Sequence, residues 1–95
     1  MIRHIVYWCK KPETTLQDLN NLKEMLLDLK NKIDIEFDLD YHISNIDTNS
    51  FDVMLDSHFK SFEDLKYYSN HKSHLEFVSV NNKYVTNRCA FDYEY

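Results

Sequence analysis

A tyrosine and two histidines suited to proton transfer lie between residues 68 and 74. Tyr68 precedes His74 by six positions, and His71 precedes it by three. An imidazole can take a proton from the carbon next to a carbonyl, and a phenol can hold the enolate oxygen that forms. We therefore predict His74 and Tyr68 as the catalytic residues of an enzyme acting on a carbonyl compound. The structural alternative is a Tyr68 packed in the core and a His74 bonded to backbone at a helix start.

The spacing of His71 and His74 also allows both imidazoles to share one face of a helix. A metal site needs at least three protein ligands, and the sequence indicates no third one nearby. We therefore predict neither a metal nor another cofactor.

A strand over residues 2 to 9 is the first element that must position such a site. Because side chains alternate along a strand, His4 shares one face with Ile2, Val6 and Trp8. The other face carries Arg3, Ile5, Tyr7 and Cys9. His4 either lines a cavity or is a hydrogen-bonded core residue. Both faces are apolar at the centre, which predicts that each of them is covered.

A long amphipathic helix should follow this strand. Thr14 and Gln17 have the spacing of a capping box. Apolar residues then recur every three or four positions at Leu16, Leu19, Leu22, Leu26, Leu29 and Ile33. This period predicts one helix of about five turns.

The remaining elements are a hairpin, a broken helix and a last strand. Apolar residues alternate over 35–43 and 51–59, with a polar turn at 45–50. A helix should start near Ser61, break at Asn70, and continue with a second helix capped by Asn70. Alternation returns over 88–95. The order βαββαβ predicts an α+β, ferredoxin-like domain spanning 1–95, with a four-stranded antiparallel sheet and helices on one face.

One layer of helices leaves the second face of such a sheet open. Ile5, Tyr7 and part of the final strand would form an apolar patch there, and such a patch usually marks an interface. Because twofold pairing is the commonest way to cover it, we predict a homodimer closed sheet against sheet.

Composition narrows the class of protein further. The chain has 16 acidic and 11 basic residues, for a net charge of -5, and its lysines form no run, which argues against a nucleic-acid partner. No segment approaches the roughly 20 apolar residues of a membrane span, and the N-terminus lacks a signal-peptide core. We predict a cytoplasmic protein with no membrane partner, and expect Cys9 and Cys89 to be buried thiols.

Three segments carry a resemblance to a known family. Residues 1–8 (MIRHIVYW) resemble the first strand of the stress-responsive dimeric α/β-barrel (Dabb) proteins. Residues 59–74 (FKSFEDLKYYSNHKSH) are similar to that family's passage from strand to helix, and 85–94 (VTNRCAFDYE) to its last strand. The resemblance implies a homodimer with a cavity between each sheet and its own helices.

The resemblance also bears on the candidate site. One plant member of the family is a polyketide cyclase, olivetolic acid cyclase, and it is similar to this chain at His4, Tyr68 and His74. In that cyclase the tyrosine and the second histidine, matched here by Tyr68 and His74, carry out the aldol step. We expect His4, Trp8 and Leu75 to line the pocket. The chain departs from the family in having Lys72 and Ser73 where proline is frequent, and in having no glycine. Some relatives bind a cation through backbone carbonyls after the first helix, here near 30–33.

Three functions remain open from the sequence. The first is a stress-linked homodimer with a small apolar or carbonyl ligand. The second is a cyclase or isomerase of a small carbonyl compound, using His74 and Tyr68. The third is a cofactor-free monooxygenase of the same barrel type.

Overall fold

The elements of the chain are described from a computed structural model of residues 1–95. In chain order they are β1 (Ile2–Lys10), α1 (Leu16–Leu27), α2 (Leu29–Lys32), β2 (Phe37–Ile43), β3 (Val53–Phe59), α3 (Phe62–Asn70), α4 (Lys72–Asn81) and β4 (Val85–Glu94). The strands form one antiparallel sheet in the order β2-β3-β1-β4. The predicted ferredoxin-like α+β fold is confirmed.

The helices cover one face of this sheet because the apolar stripe of α1 and α2 lies on it. Leu19, Leu22, Leu26, Leu29 and Ile33 are all buried, as their spacing predicts. They pack in one core with the inward residues of the strands, such as Val6, Leu55 and Tyr41.

The start of α1 differs from the prediction by one residue. The capping box consists of Thr15 and Asp18, not Thr14 and Gln17: the Thr15 hydroxyl accepts from Asp18 N at 3.1 Å, and the Asp18 carboxylate accepts from Thr15 N at 2.9 Å. Thr14 is instead buried, and its hydroxyl donates to the Tyr84 carbonyl at 2.7 Å. The helix therefore begins at Leu16, whose side chain is exposed rather than part of the stripe.

The predicted single long helix is divided at Asp28. This residue has ψ of -16°, flatter than in an α-helix, and its carboxylate accepts from the Asn31 side chain at 3.0 Å. Local bonding of an Asp side chain competes with regular helix geometry, so α2 continues the apolar stripe as a separate short turn.

The junction between α3 and α4 is made by a different residue from the one predicted. Asn70 is the last residue of α3, and His71 is the N-cap of α4. The His71 Nδ1 atom accepts from Ser73 N at 3.0 Å. The predicted break between two helices is confirmed, but its cap lies one residue later.

The other face of the sheet carries no helix. Ile5 pairs with Phe91 and Arg3 with Tyr93 across β1 and β4. The side chain of Phe91 is 66% exposed, and Tyr95 is 57% exposed. We call the outward residues of β1 and β4 the open face. No helix has the length and apolar character needed to cross a membrane.

The two cysteines are less buried than predicted. Cys9 is half-buried, and Cys89, which pairs with Tyr7 on the open face, is exposed. Within the single chain the expectation of two buried thiols is therefore wrong, because both cysteines lie on the sheet face that no helix covers.

Candidate functional site

Tyr68 provides an unpartnered hydrogen-bond donor in the core. Its ring lies 5.0 Å from that of Phe59 and 5.4 Å from that of Phe37, and the residue is fully buried. The hydroxyl nevertheless has no hydrogen-bond partner. Burial raises the pKa of Tyr68, because it disfavours the phenolate. The phenol therefore stays protonated, with its hydrogen free for an acceptor.

His74 lies beside this phenol, in the first turn of α4. The two rings are 4.4 Å apart, centroid to centroid. The His74 Nδ1 atom is 2.9 Å from the Ser69 carbonyl oxygen. Because a carbonyl can only accept, Nδ1 carries the hydrogen, and Nε2 of the neutral ring is left as an acceptor.

The environment of His74 favours this neutral form. Burial is the largest cause lowering the pKa of His74, and the nearby charges of His4 and Arg88 lower it further, while the Ser69 carbonyl acts in the opposite direction. A neutral imidazole with a free Nε2 atom can serve as a general base.

His4 and Asp92 form a second pair on the helix-facing side of the sheet. They are directly opposite each other on β1 and β4, and the His4 Nδ1 atom is hydrogen-bonded to the Asp92 carboxylate. The side chain of His4 is 12% exposed and that of Asp92 is 43% exposed. A carboxylate on Nδ1 fixes the orientation of the imidazole and leaves Nε2 as the ring nitrogen without a partner.

The structure separates the three residues predicted to line a pocket. His4 and Trp8 both lie on the helix-facing side of β1, where Trp8 is buried and stacks on Tyr41 at 6.5 Å. Leu75 is 54% exposed. One position along a helix turns the side chain by about 100°, so Leu75 lies on the solvent side of α4 when His74 faces inward.

Three surface pockets lie away from Tyr68 and His74, and neither residue lines any of the three. One of about 380 Å³ lies beside the loop between β2 and β3, next to Tyr7 and Phe51. A shallow one of about 440 Å³ lies on α3 near Tyr67, and one of about 100 Å³ lies between α1 and α4. The imidazole of His71 lines the second of these, while its Nδ1 atom caps α4.

Asp92 is the site residue that the sequence does not predict. It lies in the final strand between Phe91 and Tyr93, whose side chains point to the open face. Because side chains alternate along a strand, the sequence alone could have predicted that Asp92 lies on the face opposite to those aromatic residues. Its pairing with His4, 88 residues earlier, depends on the register of β4 against β1.

The fold and the site define a ferredoxin-like α+β domain with a tyrosine and two histidines between sheet and helices. The family profile of the stress-responsive A/B barrel domain (Dabb) matches residues 2–95. The chain therefore belongs to the Dabb family. No curated protein matches the sequence significantly.

Solved structures share the fold at low sequence identity. A dimeric ferredoxin-like protein of unknown function from Bacteroides fragilis has a TM-score of 0.88 at 21% identity, covering 99% of this chain and 95% of that chain. The hydroxynitrile lyase of Passiflora edulis has a TM-score of 0.78 at 18% identity, covering 97% and 90%. A Nitrosomonas europaea protein described as an antibiotic biosynthesis monooxygenase has a TM-score of 0.80 at 16% identity, covering 100% and 98%.

Proposed function

We propose that this protein is a homodimer that binds a small carbonyl compound between sheet and helices and catalyses its aldol cyclisation or isomerisation. The observation that carries this proposal is the Tyr68 hydroxyl, a buried donor without a partner, next to a His74 ring with a free Nε2 atom. Buried polar groups are normally hydrogen-bonded, so an orphaned one calls for a ligand or another explanation.

The proposed mechanism uses each group according to its protonation state. His74 Nε2 takes a proton from the carbon next to the ligand carbonyl, and the Tyr68 phenol donates to the oxygen on which negative charge develops. Imidazolium at His74 then returns the proton. His4 orients the ligand from the sheet side and is itself held by Asp92.

The proton and electron pairs balance in an aldol cyclisation. The electron pair of the broken C–H bond forms a C–C bond to the second carbonyl carbon of the same ligand, and the resulting alkoxide takes the proton back from His74. In the isomerisation of a β,γ-unsaturated ketone, the proton removed from the α-carbon returns to the γ-carbon of the dienolate. Neither reaction requires an oxidant or a second substrate.

The homodimer is proposed from the open face. Ile5, Tyr7 and Phe91 provide apolar surface there, and Arg3 makes two bonds of 2.9 Å to the Asp56 carboxylate at its border. Pairing two copies through the face would remove this apolar surface from water. The Bacteroides fragilis structure of the same fold is described as dimeric, which supports the proposal.

Cyclisation of 2,6-heptanedione is a suitable test, because the loss of the dione and the appearance of its aldol product, a cyclic β-hydroxyketone, can both be followed by proton NMR. We expect the protein to accelerate the reaction over buffer, His74→Ala to reduce the rate by about two to four orders of magnitude, and Tyr68→Phe to reduce it less. Removal of the exposed histidine in His42→Ala is the matched control and should leave the rate unchanged. An equal rate for the protein and His74→Ala would contradict the proposed catalysis.

A non-catalytic dimer is the second candidate, and the full burial of Tyr68 favours it. The phenol ring fills space against Phe37 and Phe59, as a core residue would. In that case His74→Ala should lower the melting temperature without changing the binding of any carbonyl compound. The similarity to the Passiflora hydroxynitrile lyase supports an enzyme, and a monooxygenase is a third candidate supported by the Nitrosomonas europaea protein.

A further inference from the structure

Strand β4 turns an arginine towards the helices near His74. Cys89 pairs with Tyr7, whose side chain points to the open face. Since successive side chains of a strand point to opposite faces, the neighbouring Arg88 points to the helix-facing side, as do Ala90 and Asp92.

An irregularity in the strand lies directly beside Arg88. The register between β1 and β4 shifts between Tyr7 and Cys9, and Asn87 within the shift has φ of 56°. It is the one residue of the chain in the left-handed region, which asparagine tolerates better than most residues. A bulge of this kind redirects the side chains next to it and is frequent beside functional sites.

The guanidinium of Arg88 has no partner within the chain. It is exposed, and it takes part in none of the ion pairs or side-chain hydrogen bonds, whereas the other arginine, Arg3, is bound to both Asp56 and Tyr93. The first turn of α4, which contains His74, has no acidic residue. The charge of Arg88 acts on His74 strongly enough to contribute to its lowered pKa. One end of the candidate site is therefore a free positive charge, in a chain whose net charge is -5.

We propose that Arg88 is a specificity-determining residue that binds a carboxylate of the ligand, so that the ligand is a carbonyl compound carrying a carboxylate. This rests on the proposed function, since it assigns the ligand class of the same site. Arginine suits the role because its planar guanidinium donates two parallel hydrogen bonds to a carboxylate.

A matched pair of probes isolates the charge. 5-Oxohexanoate and its methyl ester have the same ketone and chain and differ in the carboxylate. Titration of each into the full-length protein, followed by the NMR signals of the His74 ring and the backbone of 88–92, gives two dissociation constants. We expect the acid to bind about tenfold more tightly than the ester.

Variants then assign the preference to one side chain. Arg88→Gln should abolish the preference for the acid while leaving ester binding unchanged, and Arg88→Lys should keep part of it. Lys83→Gln removes an exposed positive charge outside the site and should keep all of it. An unchanged melting temperature of Arg88→Gln excludes a folding effect.

The outcomes separate this proposal from the proposed function. If acid and ester bind the site equally, or if Arg88→Gln keeps the preference, the role of Arg88 is overturned while the binding site stands. If neither compound shifts the His74 signals at millimolar concentration, the carbonyl-binding site and the role of Arg88 are both overturned.

Discussion

The ring of Tyr68 lies 4.4 Å from the ring of His74, yet the Tyr68 hydroxyl bonds neither to that histidine nor to any other group. His74 directs its Nδ1 hydrogen away, to the Ser69 carbonyl. The two rings are thus in contact at a tilt of 45° without a hydrogen bond between them. A donor and an acceptor are left available side by side, which is the arrangement that a carbonyl ligand would use.

Tyr68→Phe should raise the stability of the ligand-free protein. Removing a buried hydroxyl without a partner removes a desolvation cost, and we expect the free energy of unfolding to rise by about 1 kcal/mol. Tyr41→Phe is the matched comparison, because the equally buried Tyr41 hydroxyl lies 3.5 Å from the Asn81 amide oxygen and its removal should lower the free energy of unfolding by about 1 kcal/mol.

Urea unfolding of both variants measures this difference. Equal destabilisation by the two substitutions would mean that the Tyr68 hydroxyl has a stabilising partner in solution. That result would favour the non-catalytic candidate, since the hydroxyl would no longer be free for a ligand.

His74 should make the protein more sensitive to mild acid. Burial lowers the pKa of His74 below 6.5 in the folded state, so between the two pKa values the unfolded chain binds more protons. Stability therefore rises with pH in this window and falls as the pH drops through about 6.5. His74→Asn retains a hydrogen-bond donor without a titrating ring, and should show less loss of stability between about pH 7.5 and 5.5.

The comparison uses the free energy of unfolding of each protein across that pH range. The free energy of unfolding of His74→Asn could instead change with pH as steeply as that of the parent protein. That result would mean that the surroundings of His74 do not hold it neutral, which would contradict its role as a base.

The spacing of apolar residues was sufficient to predict the helices and strands, but not the residue at which each of them begins. The leucine stripe of α1 and α2 is buried because a period near 3.6 is a property of the segment itself. The starts of α1 and α4 each differ by one residue from the prediction, because neighbouring Thr, Asn and His side chains could each cap a helix. Leu75 shows the same difficulty, since one position moves a side chain to the solvent side.

The site could be predicted only where its residues are close in sequence. Tyr68 and His74 are joined by a short turn, and the structure brings their rings into contact. Asp92 and Arg88 reach the site through the pairing of β4 with β1, whose register includes a bulge. The sequence does not specify that register, because alternation assigns faces within a strand and not the partner across it.

A substitution on the open face tests the homodimer. Ile5→Asp would place a charge opposite Phe91, and burying it against a second copy should weaken dimerisation by several kcal/mol. We expect the protein to sediment as a dimer at micromolar concentration and Ile5→Asp as a monomer of 11.5 kDa.

Leu16→Asp is the matched control for that substitution. Leu16 is 64% exposed on the helical side, and as the first residue of α1 it is a position where an acidic group is favourable. This variant should remain dimeric. A dimeric Ile5→Asp would show that copies associate through a different surface.

The reactivity of Cys89 gives an independent measure of the same interface. Its thiol is exposed in the single chain, and the residue is paired with Tyr7 across β1 and β4 on the open face. In a sheet-to-sheet dimer the thiol should be covered, so a thiol reagent should label it about tenfold more slowly in the dimer than in monomeric Ile5→Asp.

Cys9→Ser is introduced in both proteins, so that Cys89 is the one thiol observed. Removing Cys9 should have little effect on the fold, because its half-buried thiol makes one weak contact of 3.7 Å to the Ser50 carbonyl. Labelling of Cys89 at the same rate in dimer and monomer would place β4 outside the interface, and the open face would then need a different occupant.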